Sequence, residues 1–503
     1  MKYKNPILSG FYPDPSICRV GEDYYLVTSS FEYFPGLPLF HSRDLIHWQQ
    51  LGHCISRNSQ LTLSHKVPNG FGLYAPTIRH HNGRFYVICT NVSEGNFTSG
   101  NFVIWTDDIH GEWSDPIWID LPGIDPSLYF EGDKAFYVGT HKTIYLCELD
   151  LTTGATGPRH ELWQGIGAAD PEGPHLYKKG DYYYLVIAEG GTSFGHMVTI
   201  SRSKNMLGPY EAYAENPILT NRSLQNPIQA VGHADLIEDH LGNWWGVCLG
   251  IRTIGTFTPK HLLGRETFLF PVDWSGAWPI LGNNGSLSLE MEATGLPEKV
   301  FPSQPAKTIF SKQGVDATWN YLYEQDDVHI FTDEQGLNLL GTAETLNSEA
   351  GLTWLGRRQT AFHFFAKAKF ILPQMQDGTE FGLSIFLNRQ HHYEIALQQD
   401  EPTAIIFRQT VSIFDKMTKV TEDPLMAGTP YFLEIRGDKK LYQFFGGTEE
   451  NSLQKIGEAT TVNLTTEVGG LFTGPYLALY ATGNGKESVT PIVCEWFDYQ
   501  ELD

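Results

Sequence analysis

The sequence predicts an all-β chain, a five-bladed β-propeller followed by an antiparallel β-sandwich. Three observations predict it. A unit made of small residues, a turn and an aromatic strand recurs five times between residues 10 and 250. Glycine (50), proline (28) and aromatics (13%) are abundant in the 503 residues, which favours many short strands joined by turns. Beyond a Pro-rich stretch near residue 300 the unit stops recurring, and apolar residues alternate with polar ones.

The first unit opens at Gly10-Phe11-Tyr12-Pro13-Asp14-Pro15-Ser16 and passes through Gly21 into Tyr24-Tyr25-Leu26-Val27. The second runs from Ala75-Pro76-Thr77-Ile78 through Asn82-Gly83 into Phe85-Tyr86-Val87-Ile88. The third runs from Asp125-Pro126-Ser127-Leu128 through Gly132-Asp133 into Ala135-Phe136-Tyr137-Val138. The fourth runs from Glu172-Gly173-Pro174-His175 through Gly180-Asp181 into Tyr182-Tyr183-Tyr184-Leu185-Val186. The fifth runs from Gly232-His233-Ala234-Asp235 through Gly242-Asn243 into Trp244-Trp245-Gly246-Val247. Glycine gives each turn its positive φ, and aromatic and β-branched residues suit a half-buried pleated surface, so each unit reads as a hairpin. Successive starts (14, 75, 125, 172, 233) lie 61, 50, 47 and 61 residues apart, a spacing that fits propeller blades. Runs at 39–48, 102–108 and 198–203 supply outer strands.

The polar, Pro-rich segment 297–312 reads as a linker. It divides the chain into a propeller over 1–305 and a second domain over 306–503. In the second domain Ala361-Phe362-His363-Phe364-Phe365-Ala366-Lys367-Ala368, Tyr431-Phe432-Leu433-Glu434-Ile435-Arg436 and Ile492-Val493-Cys494-Glu495-Trp496-Phe497 are strands with one buried face, the material of a sandwich.

The net charge of −23 argues against nucleic acid and anionic membrane as partners. The six cysteines show no CxxC spacing, which leaves a zinc site unsupported and favours a reduced, cytoplasmic setting. No apolar leader and no membrane-length apolar run is present. Abundant aromatics suit a sugar, whose C–H faces stack on rings, and suit a plain β core equally.

Equivalent positions of a propeller lie around one axis, so Asp14, Ala75, Asp125, Glu172 and His233 should converge. Asp before Pro-Ser is also ordinary turn chemistry, but three carboxylates in phase point to a chemical site. Hydrolysis of a glycoside needs a protonated carboxyl to give a proton to the leaving oxygen and an ionised one to activate water or attack carbon. Asp14, held between Pro13 and Pro15 in a stiff loop, suits the base. Glu172, with the longer side chain and other carboxylates nearby, suits the acid. Asp170 is the rival acid, out of phase with the repeat.

These motifs, with Tyr74-Ala75-Pro76-Thr77-Ile78-Arg79 and Gly232-His233-Ala234, resemble family 43 glycoside hydrolases, and in particular bacterial β-xylosidases and α-L-arabinofuranosidases with a C-terminal, concanavalin-like β-sandwich. The resemblance covers nearly the whole chain. It implies an inverting reaction with Asp14 as general base, Asp125 as the carboxylate that tunes and orients the acid, and Glu172 as general acid. It implies substrate-binding roles for Phe31, Tyr74, His233, Arg265 and Phe472, with Phe472 reaching from a sandwich that caps the active site. Tyr74 departs from the Trp usual in the xylosidases. Ordinary alternatives are an ion pair for Arg265, a core Phe for Phe472 and a structural His for His233. Some members of the group hold calcium beside the residue matching His233, and others work without metal. No Asp-rich calcium loop is visible, so the expectation is no required cofactor, with calcium near His233 as the alternative. The expected substrate is a small xylan-derived oligosaccharide that loses a terminal pentose. The resemblance also implies a dimer or tetramer. Rival readings are a non-catalytic carbohydrate-binding propeller and a retaining transglycosidase.

Overall fold

Each recurrent unit forms a hairpin. Ser16–Val20 pairs antiparallel with Asp23–Val27, and Thr77–His81 pairs with Arg84–Thr90. Ile124–Glu131 pairs with Lys134–His141, Glu172–Lys179 with Tyr182–Glu189, and Ile228–Glu238 with Trp244–Ile254. Further strands extend each hairpin outward, as Gly36–Ser42 and Gln49–Ile55 do in the first. The first strands of the five sheets neighbour one another in a closed ring, which makes them the inner strands of a five-bladed propeller. The computed structural model describes all residues except 1, 64–68, 93–98, 256, 303–304, 350, 375–377, 400–402, 422–425, 471 and 503.

The aromatic second strands are the glue between blades. Tyr24, Leu26, Tyr137, Val138, Leu185 and Val186 are buried, and Tyr24, Leu26 and Val186 share one cluster with Val247 and Phe270. Fully burying an aliphatic side chain of this size contributes about 1.5–3 kcal/mol.

The ring is shut by the segment before the first blade. Lys2–Lys4 pairs antiparallel with Glu290–Glu292, and Leu8 bridges to Thr267. The Asn5 side chain acts as a surrogate strand: its Nδ2 donates to the Leu269 carbonyl at 2.9 Å, and its Oδ1 accepts the Leu269 N–H at 3.0 Å.

On the axis a charged network ties four blades together. Arg79 donates to Asp235 Oδ2 and Oδ1 at 2.7 and 3.0 Å. Asp235 also accepts from Ser16 Oγ at 2.7 Å and Tyr177 Oη at 2.6 Å. Arg79 Nη2 donates to His175 Nδ1 at 2.9 Å, and burial holds that imidazole neutral, with its pKa lowered to about 3. A buried ion pair needs such extra partners to offset its desolvation.

The inner strands begin irregularly. Register shifts fall between Ile124 and Ser127, between Glu172 and His175, and on both sides of Gly232. Asp14, Asp125 and His233 have φ of 55°, 53° and 52°, the left-handed region that strains a residue with a Cβ. Bulges of this kind re-aim side chains. Here they affect the residues that open three of the five units.

The chain divides into two units, 1–253 with 265–301, and 254–264 with 302–503. Residues 254–264 thus group with the second unit, although the sequence places them within the run 1–305. Leu262 and Leu263 are buried in the second unit's core, and His261 Nδ1 lies 2.7 Å from Glu467 Oε1. That unit is a concanavalin A-like pair of antiparallel sheets. One contains Phe364–Ile371, Pro430–Gly437 and Ile492–Glu501, and the other Glu380–Asn388, His391–Gln398 and Tyr476–Thr482. The predicted alternation holds along Phe364–Ile371, where every second residue is buried. Phe370, Phe381, Ile395, Leu433, Leu479 and Phe497 fill the space between the sheets.

Candidate active site

Five of the residues singled out from the sequence converge in the first unit. Asp14, in the bend before Ser16–Val20, is almost fully buried. Arg265 Nη1 donates to its Oδ1 at 2.8 Å, and Ser29 Oγ donates to its Oδ2 at 2.5 Å. His233 Nδ1 lies 3.9 Å from Asp14 Oδ1. Asp125, Glu172 and His233 each bring one polar atom into a group whose members lie within 4.8 Å of one another. Ala75, the opening residue without a functional side chain, contributes its backbone N–H as a hydrogen bond to Asp125.

Glycines make this convergence sterically feasible. Gly173, at φ +56°, lies beneath the His233 ring, and a Cβ there would come within 2.9 Å of Cε1 and Nε2. Gly232 lies beneath the His196 ring, where a Cβ would meet Cε1 and Nδ1 at 2.5 Å.

The three carboxyls differ in proton affinity. Burial pushes Asp14 up, but the Arg265 guanidinium, His233 and the Ser29 hydrogen bond outweigh it and hold the group below the usual carboxylate range. Burial and then the Asp14 charge push Asp125 up. Burial, followed by the charges of Asp125 and Asp14, raises Glu172 well above the usual range, with Asp170 adding to the effect. The cluster therefore joins an Asp14 that favours its ionised form to a Glu172 that favours its protonated form. Unlike environments around like groups are how a fold keeps an acid and a base together.

Phe31 and Tyr74 line the same region. The Phe31 ring lies 5.2 Å from Tyr74 and 5.7 Å from Phe11, and the Arg265 guanidinium sits 5.6 Å from the Phe31 centroid. Phe31 is held at φ 52° by a backbone pair with Leu73 at 2.9 and 3.0 Å. Phe472 is half-buried and belongs to the second unit. Asp170, the rival acid, is exposed, and it acts on Glu172 by charge alone.

Two residues of the cluster escape the sequence reading. Thr192 Oγ1 accepts from Arg265 Nη1 at 3.1 Å. His196 Nε2 lies 3.8 Å from Glu172 Oε1. Both follow the Gly190-Gly191 pair, a loop signal out of phase with the repeat.

Asp125, Glu172 and His233 form the only group of three candidate metal donors among the described residues. Calcium takes six to eight oxygen ligands, whereas this group offers two carboxylates, both raised toward their protonated forms, and one nitrogen. The donor set does not fit a protein-held calcium site.

A buried carboxylate and a protonated carboxyl in one cluster, on the inner strands of a propeller, are the equipment of a glycoside hydrolase. Comparison with known proteins gives that class its family. Residues 3–279 match glycosyl hydrolases family 43, and residues 307–500 match the β-xylosidase C-terminal concanavalin A-like domain. The chain belongs to glycosyl hydrolases family 43. It is 38% identical over 512 residues to a non-reducing end α-L-arabinofuranosidase, BoGH43B of Bacteroides ovatus, covering 100% of this chain and 95% of that one. It is 38% identical over 527 residues to a xylosidase/arabinosidase of Butyrivibrio fibrisolvens, covering 99% of each. Among solved structures, the Bacteroides ovatus xyloglucan-locus GH43B superposes with a TM-score of 0.94 at 36% identity, covering 100% of both chains. No helix among the described residues is long and apolar enough to cross a membrane.

Proposed function

We propose that the protein is an exo-acting, inverting glycosidase that releases a terminal β-1,4-linked xylose from short xylo-oligosaccharides. The observation that carries this reading is the opposed proton affinity of Asp14 and Glu172 within one buried cluster. Asp14, ionised and fixed by Arg265 and Ser29, takes a proton from the water that attacks the anomeric carbon. Glu172 gives its proton to the departing oxygen as the C–O bond breaks. Asp125, itself raised, disfavours the charged form of Glu172 and tunes the acid. Phe31 and Tyr74 offer ring faces to the sugar, while Arg265 and His233 bind hydroxyls beside Asp14. We also assign Phe472 to substrate binding. Six buried, unpaired cysteines support a reduced, cytoplasmic setting. We also propose a homodimer or tetramer.

A second reading, α-L-arabinofuranosidase or dual activity, is favoured by Tyr74, which stands where the xylosidases usually carry Trp, and by the activities of the two relatives. The deciding experiment is hydrolysis of paired aryl β-D-xylopyranoside and aryl α-L-arabinofuranoside, with xylobiose alongside, with and without chelator. Faster turnover of the xyloside and xylobiose establishes the first reading. Faster arabinoside turnover with xylobiose untouched establishes the second. Activity on neither overturns both in favour of a binding module.

A further inference from the structure

His196, immediately before the strand Met197–Ser203, is fully buried. Its ring occupies the space left by Gly232. Nδ1 lies 3.2 Å from the Ala230 carbonyl oxygen, and a carbonyl only accepts, so Nδ1 carries the hydrogen. The neutral ring then presents a bare Nε2. That atom is buried, has no hydrogen-bond partner among the described residues, and lies 3.8 Å from Glu172 Oε1.

A bare nitrogen repels a carboxylate and accepts from a carboxylic acid. We infer that His196 is a positioning residue for Glu172: its bare Nε2, 3.8 Å from Oε1, favours the protonated carboxyl, keeps the proton there until a glycosidic oxygen arrives, and opposes the carboxylate left afterwards. This rests on the reading of Glu172 as the acid. In the step itself the proton passes from Glu172 to the departing oxygen, which also takes the electron pair of the broken C–O bond. Glu172 then regains a proton from solvent, matching the one Asp14 releases.

The groups facing this pair are consistent with a neutral imidazole. Burial, the neighbouring His233 and Arg265 disfavour a charged His196, whose pKa falls to about 3, while the Ala230 hydrogen bond and Asp14 pull the other way. Asp125, Asp14 and Asp170 disfavour the Glu172 carboxylate, and Arg265 alone favours it.

The test is the pH profile of kcat/KM for His196→Phe, which keeps a ring over Gly232 and removes the acceptor. With xylobiose or another substrate whose leaving group needs a proton, the alkaline limb should fall by about half to one pH unit, the scale of losing one nearby dipole that disfavours the carboxylate. Above that limb the rate drops roughly three- to tenfold. An activated aryl glycoside should lose much less. An unmoved alkaline limb, or equal losses on both substrates, overturns the inference. If His196→Phe does not fold, His196→Gln carries the same test, since its amide N–H favours the carboxylate and moves the limb the same way. Glu172→Ala run in parallel separates the two claims. Equal losses there on both substrates remove the acid assignment and this inference with it. A preserved split beside an unmoved limb removes only the role of His196.

Discussion

Arg265 Nη1 lies 2.8 Å from Asp14 Oδ1, across 251 residues of sequence, and this ion pair sets Asp14 apart from the other two carboxyls. The guanidinium opposes the desolvation of Asp14 and reaches Thr192 with the same nitrogen. Replacing it with Met should let the Asp14 carboxyl rise. The active form is the ionised one, so the acid limb of kcat/KM should move to higher pH by about one to two units, with lower activity throughout. An acid limb that stays in place in Arg265→Met would detach Arg265 from the ionisation of Asp14.

Glu172→Ala should reduce hydrolysis of unactivated substrates by about 10²- to 10⁴-fold, the usual contribution of a general acid. Aryl glycosides with good leaving groups need little proton donation and should retain far more activity. Steady-state kinetics across a series of leaving groups gives the comparison, and a flat response would exclude Glu172 as the acid.

Gly173→Ala should injure the cluster without touching any functional group. The φ of +56° costs a residue with a Cβ about 1–2 kcal/mol, and the new methyl must push the His233 ring off its present position. Thermal melting should fall by a few degrees, with a disproportionate loss of activity. Unchanged melting and unchanged rates would show that this close approach is not needed.

Asp235 holds Arg79 on the propeller axis, and Asp235→Ala should destabilise the fold by about 3–5 kcal/mol by leaving the guanidinium unpaired. Burial would raise the Asp235 carboxyl, yet Arg79, His175 and Tyr177 override that and hold it below the usual range. A lowered carboxyl contributes stability that is present above its unfolded pKa of about 4 and is lost as pH falls toward the folded value. Urea midpoints measured between pH 5 and pH 3 should decline, and Asp235→Asn should flatten that decline. An equally steep decline in the variant would place the acid sensitivity elsewhere.

The propeller was legible because each blade repeats a local signal, a turn glycine followed by aromatic residues, that needs no distant partner to be read. Asp14, Asp125, Glu172 and His233 followed from the phase of that signal. The left-handed φ values of Asp14, Asp125 and His233 did not, because neither Asp-Pro nor His-Ala announces one. His196 and Thr192 lie between repeats, and only the missing side chain at Gly232, 36 residues further on, accounts for the place of the imidazole. The Arg79–Asp235 pair spans 156 residues, a distance over which no periodicity speaks. Residues 254–264 read as part of the propeller run because their affiliation is set by packing of Leu262 and Leu263 with residues after 302.

The clasp between Lys2–Lys4 and Glu290–Glu292 has a consequence during synthesis. On a ribosome the early half of this joint emerges long before its mate. Until residue 292 is translated, a nascent chain carrying four blades has two raw flanks, and apolar side chains such as Tyr24 and Val186 await neighbours not yet made. Ring closure is then a late, non-local event of the kind that folds slowly and invites association between incomplete chains. Chaperone demand in this protein should therefore peak at chain lengths just short of the fifth blade.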